Sequence, residues 1–228
     1  MRILKSLTLS TALVAALASA AIADTDRTIT VTGEGIVQAL PDQATISLGV
    51  TTTDETAVAA LAANSAAVAE VIAELKAAGV GEGDLQTSNL SLNPNWSNYD
   101  SSSSGAISGY TASNLLSVRV RDLEALGSIL DAAVSDGANT MNGIAFGLAD
   151  PAPVMNAARA KAVADATARA TVLITAAGGT LGPIVSITEG GVFAGPGPMF
   201  REAASAVPIE SGEVGMTASV TVTFEIAE

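Results

Sequence analysis

The residues able to do chemistry are few and mostly acidic. Asp24 with Asp26 and Glu82 with Asp84 are the closest carboxylate pairs, Lys161, Asp165 and Arg169 stand four apart, and Gly33 and Gly35 flank Glu34 in TGEGIVQALPDQATISLGVTT, residues 32–52. Paired carboxylates can cleave glycosides or hold calcium, a serine beside a lysine can attack acyl groups, and a Gly-x-Gly can cradle a phosphate. Each chemistry needs a setting. Calcium loops bring five or more oxygen ligands at defined spacing, which neither acidic pair has. A glycosidase cleft is lined with aromatic rings, and these 228 residues hold one Trp, two Tyr and four Phe. The acidic pairs read as solvated surface or turns.

The glycines fail as an anion cradle for a related reason. A cradle sits where a strand ends and a helix opens, with amides aimed at the ligand. Here Gly35 leads into Ile-Val-Gln-Ala-Leu and then Pro41, which stops any helix, and Glu34 would repel the anion. Lys161, Asp165 and Arg169 fall at helical spacing in ARAKAVADATARA, the pattern of surface ion pairs worth roughly a few tenths of a kcal/mol each. No serine is placed to use Lys161 as a base. The chain also has no Cys and no His. That excludes imidazole bases, thiolate nucleophiles, zinc knuckles, iron–sulfur ligands and disulfides. The sequence therefore predicts no catalytic residue, no metal ligand and no cofactor, and an enzyme working with carboxylates alone is the weakest class of function.

The N-terminus carries a targeting signal. Arg2 and Lys5 precede an apolar run from Leu7 to Ala18, and Ala21-Ile22-Ala23 has the small-x-small form of a cleavage site, so residues 1–23 read as a secretory leader. The run is shorter than the ~20 apolar residues of a membrane span. No later segment is expected to cross a membrane. The leader holds two cations and no acid, so its removal deepens a formal net charge of −13. So acidic a surface repels nucleic acid and anionic headgroups.

Period-two alternation marks the strands. In the quoted stretch Ile29, Val31, Val37 and Ala39 alternate with polar residues before Pro41-Asp42, and Ala44, Ile46, Leu48 and Val50 alternate after it. This reads as a hairpin turning at Pro41-Asp42, with Gly33 and Gly35 at a bulge or a close backbone approach. A helix is expected from Asp54 to Ala78, capped by Thr52 with Glu55 and stopped by Gly79. Asp122 and Asp150-Pro151 open two more, ending near Gly137 and Gly178. Further strands run through Leu90 and Leu92, Leu116 to Val120, Ile144 to Leu148, GPIVSITEG and VTVTFEI. The fold class is α+β, with about seven strands in antiparallel sheets, three main helices on one face and two lobes. Lobe one takes about 28–107 with 190–228, and lobe two about 108–189.

Taken in order, VTGEG, PDQATISLGV, LKAAGVGEGDLQTSNLSLNP, GYTASNLLSVRVRD, GANTMNGIAFGLADP, ARAKAVADATARA, AAGGTLGPIVSI and ASVTVTFEI resemble the SIMPL domain family of bacterial periplasmic and envelope proteins, across residues 28–227. The resemblance implies a two-lobed α+β fold, secretion and large ring-like or channel-like homo-oligomers. It implies no catalytic site. Two loops, 93–108 and 190–211, are least family-like, and they hold Trp96, Tyr99, Phe193, Met199 and Phe200 among Ser, Gly and Pro. Large apolar side chains in polar loops either fold back on the core or anchor an interface. The expected function is a non-enzymatic periplasmic protein whose partner is itself, with other envelope proteins as further partners, serving envelope integrity or oxidative-stress defence. The alternative is a periplasmic binding module for a small apolar ligand or an envelope partner.

Overall fold

A computed structural model describes residues 27–97, 105–191, 193–196 and 209–227, with only the backbone for 193–196. The leader at 1–23 and the pair Asp24 and Asp26 lie outside them. The chain runs β1 (Thr28–Ala39), β2 (Gln43–Asp54), α1 (Ala57–Ala77), β3 (Leu85–Ser97), β4 (Ala106–Val120), α2 (Leu126–Ser135), β5 (Thr140–Gly147), α3 (Ala152–Ala176), β6 (Thr180–Glu189), the short β7 (Phe193–Pro196) and β8 (Val214–Ala227). The class is α+β. All pairings are antiparallel, and they form two four-stranded sheets.

The first sheet has the order β1-β8-β6, with β7 also on β8, and carries α3; the second has the order β3-β4-β2-β5 and carries α1. This corrects the hairpin expected at Pro41-Asp42. β1 pairs with β8 along its whole length, while β2 pairs with β4 and β5 in the other sheet. Pro41 and Asp42 are a crossover between sheets, fixed by Asp42 N donating to the Gly147 carbonyl at 3.1 Å and Asp42 Oδ1 accepting from Ala149 N. Alternation shows that two segments are strands and which face each buries, but not which strands they pair with. Strands β2 to β5 form one sheet and β1 with β6 to β8 the other.

Helix α1 starts later than expected. Thr56 is its cap, accepting from Ala59 N at 3.2 Å, and Thr52 instead donates its hydroxyl to the Ala60 carbonyl at 2.8 Å. Gly79 closes the helix at φ +95°, a conformation that glycine adopts without steric cost. Val68, Val71 and Leu75 bury against Ile46, Leu48, Leu116 and Val118, and α2 completes this core with Ile129 and Leu130. By length and composition α1 could cross a membrane, contrary to the expectation for the chain beyond its leader. Here it is packed on a sheet. Asn64, the one fully buried polar side chain among the described residues, donates to the carbonyls of Val50 at 2.8 Å and Ala112 at 3.2 Å, tying α1 to β2 and β4.

The other core is built differently. Helix α3 presents Ala158, Ala162, Ala166 and Ala170, each fully buried, to β1 and β8. This ridge lies directly on Gly33 and Gly35. A Cβ at Gly33 would overlap the Ala162 carbonyl oxygen, and one at Gly35 the Ala158 carbonyl oxygen. β1 has no register shift against β8, so of the two expectations for these glycines the structure has the close approach and not a bulge. The uncovered faces of both sheets are rows of hydroxyls, with Thr30 bonded to Thr223 at 2.9 Å and Thr51 to Thr140 at 2.9 Å.

The glycine contact yields a direct prediction. Gly35→Ala lowers the unfolding free energy in urea by about 1–3 kcal/mol, as overpacking does. Gly127→Ala, on α2 where a Cβ meets nothing within 4 Å, leaves it level or raises it by up to about 1 kcal/mol. Equal midpoints for the two variants would show that α3 lifts off β1 without cost.

Candidate assembly surface

Strand β3 is the outer strand of the second sheet, and it is longer than the sequence suggests. The expected loop at 93–108 is strand as far as Ser97 and strand again from Ala106. Trp96 therefore sits on a strand, opposite Ile107, and not in a polar loop. Leu90 and Leu92 lie opposite Asn114 and Ala112, on the face that carries α1. That helix packs mainly over β2 and β4 and less over β3. Leu90 is 57% exposed, Leu92 40%, Trp96 53% and Ile107 47%. At the rise of an extended strand, Leu90 to Trp96 makes an apolar row about 20 Å long.

The base of this hairpin is held by charge. Arg121 donates to Asp84 from Nε at 2.9 Å and from Nη2 at 2.8 Å, and Arg119 Nη1 lies 3.6 Å away. Asp84 directly precedes β3 and the arginines end β4, so the fork fixes where the two strands begin to pair. The Arg121 hydrogen bond holds the Asp84 carboxyl below its ordinary range, its partial burial opposes this, and the positive charges of Arg121 and Arg119 add to the lowering.

Of the expected anchors, Trp96 is described and exposed. Tyr99, Met199 and Phe200 lie outside the described residues, as does the Phe193 side chain, although the Phe193 backbone pairs with Thr217 in β7. Among the described residues no three of His, Cys, Asp and Glu gather as metal ligands, and no acid is buried. Glu82 lies near Lys76, at 3.2 Å, and Asp84 belongs to the arginine fork, so this pair serves two separate ion pairs. A hollow beside α3, lined by Ala168, Arg169, Val172 and Leu173, is formed by that helix alone. Leu90, Leu92 and Ile107 were not among the expected anchors. The signal for them was the Leu-x-Leu-x-Pro-x-Trp alternation on a strand with few apolar residues on its other side.

The family model SIMPL, described as "Protein of unknown function (DUF541)", matches residues 29–224. The chain belongs to the SIMPL family. Among SIMPL relatives, the 26 kDa periplasmic immunogenic protein of Brucella melitensis is 39% identical over 212 residues, 87% of this chain and 84% of that protein. The protein of the same name from Brucella abortus is equally similar. "Uncharacterized protein YggE" of Escherichia coli K12 is 29% identical over 193 residues, 84% of this chain and 78% of that one. None of these names denotes an enzyme.

The arginine fork makes the hairpin's stability depend on pH in a definite direction. A carboxyl whose folded pKa is depressed stabilises the fold above about pH 4, the unfolded value, and loses that contribution as pH falls through the folded value. Asp84→Asn lowers Tm at neutral pH, and the gap to the parent closes in thermal melts as pH falls through the depressed folded value of Asp84. A gap independent of pH would remove ionisation of Asp84 as its cause.

Proposed function

We propose that this SIMPL protein is a non-enzymatic, secreted periplasmic protein that self-assembles into a large homo-oligomer serving envelope integrity or oxidative-stress defence. The observation that carries the reading is the apolar row on β3. A folded chain with this much formal charge and few aromatics keeps Leu90, Leu92, its single Trp and Ile107 half in water along one sheet edge. Such rows mark interaction surfaces, and since Pro94 and two register shifts interrupt the β3 backbone, its apolar side chains and not its backbone groups would make the contact. A second copy is the partner always at hand. The periplasmic location is supported by the leader-like N-terminus and the name of the Brucella relatives. The absence of any buried acid among the described residues speaks against carboxylate catalysis.

Size-exclusion chromatography with light scattering on the chain lacking residues 1–23 gives a mass several times that of one protomer. Leu92→Ser with Trp96→Ser shifts it toward the monomer, weakening association by about 30-fold or more, as loss of an interface anchor does. A parent that runs as a monomer overturns self-assembly. In that event apolar ligands released from the native protein and seen by mass spectrometry favour the binding-module reading.

A further inference from the structure

Two sheets have four outer edges, and they are not equally available. β5 is short, with a register shift opposite Ser47 and Leu48 and Gly143 at φ +129°. β6 carries Pro183 and two register shifts. Irregularity and proline are the usual protections of an edge strand. β1 has neither. It is regular over twelve residues, carries no proline and would be the best template for an added strand.

What lies along that edge is a row of charges from α3. Alternation along an antiparallel strand puts the backbone groups of Thr32, Glu34 and Ile36 on one side of β1, and α3 reaches all three residues there. Arg169 Nη1 donates to the Thr32 carbonyl at 3.2 Å, the Glu34 N–H donates to Asp165 Oδ2 at 2.9 Å, and Lys161 Nζ donates to the Ile36 carbonyl at 3.1 Å. Arg169 Nε also holds Asp165 Oδ2 at 2.9 Å. The sign of each side chain matches its target, cations on carbonyls and a carboxylate on the amide. The spacing matches as well. Four helical residues advance about 6 Å, and two strand residues about 6.8 Å, so a row at i, i+4, i+8 tracks alternate strand positions running the other way.

We propose that Lys161, Asp165 and Arg169 form a latch that closes the β1 edge to strand addition, so that β1 is a latent docking site for a strand of a second copy. The occupant follows from the backbone. The groups that the latch engages are those an added antiparallel strand would take, and a second β1 supplies the same pattern in reverse. The Glu34 amide bond, ahead of the Arg169 contacts, also holds the Asp165 carboxyl below its ordinary range.

The test replaces all three residues by alanine, which suits a helix already built on alanine, with Lys161→Ala alone as the milder variant. Circular dichroism establishes that both are folded. The triple variant gives larger species than the parent at equal concentration by light scattering, and its Glu34 amide, the β1 amide that the latch engages, read by hydrogen exchange on the smallest species present, exchanges at least tenfold faster. Lys161→Ala shifts exchange in the same direction by less. Parental mass with parental exchange overturns the latch, and so does a larger mass with β1 still protected, which means another surface associates. The comparison is between variant and parent, so it holds whether the parent is a monomer or an oligomer. A monomeric parent removes the proposed assembly and leaves the latch to be judged by its own result.

Discussion

The contact of Gly33 and Gly35 with the alanine ridge of α3 is the constraint on which the first sheet depends. Helix and strand meet with no side chain between them on the glycine side and only methyl groups on the other. The approach costs hydrophobic area, since alanine buries little, and gains closeness. Closeness is what lets Lys161, Asp165 and Arg169 reach past the packed face to the backbone of β1. A side chain at Gly35 would overlap the Ala158 carbonyl oxygen, so the helix could not sit this close to β1.

The second sheet solves the same problem with larger side chains. Leucine, isoleucine and valine fill the space between α1 and β2 and β4. Asn64 supplies the one polar tie, long enough to reach two carbonyls across that space. Because α1 covers β2 and β4 more than the β3 edge, Leu90, Leu92 and Trp96 of β3 stay partly exposed, while Leu85 at the start of that strand packs on the core. The two halves thus differ in their outer edges. The β1 edge of one is met by charges, and the β3 edge of the other carries exposed apolar side chains.

Much of this was legible in the sequence because it is local. Alternation placed the strands and the faces of β2, β4 and β8, the 79, 137 and 178 glycines ended the helices, and the absence of His and Cys removed whole classes of chemistry. The errors were errors of partner. Alternation on either side of Pro41 is the same whether the strands pair with each other or with β8 and β4. The helix start was misplaced because Thr52 and Thr56 both fit a cap, and only the hydroxyl geometry separates them. Lys161, Asp165 and Arg169 read as exposed ion pairs for the same reason: their spacing reports the helix, and their targets lie more than a hundred residues away in sequence.

The sequence by itself determined the inventory and the period: which chemistry is impossible, which segments are the main helices and strands, and that Gly33 and Gly35 mark a bulge or a close approach. Periodicity is a property of neighbouring residues, so it survives without a fold. The tertiary structure alone decided that the glycines receive an alanine helix, that its charges reach a strand edge, and that Leu90, Leu92 and Trp96 stay uncovered. Those outcomes depend on which surfaces meet, which is set by burial summed over the whole chain and not by any stretch of it.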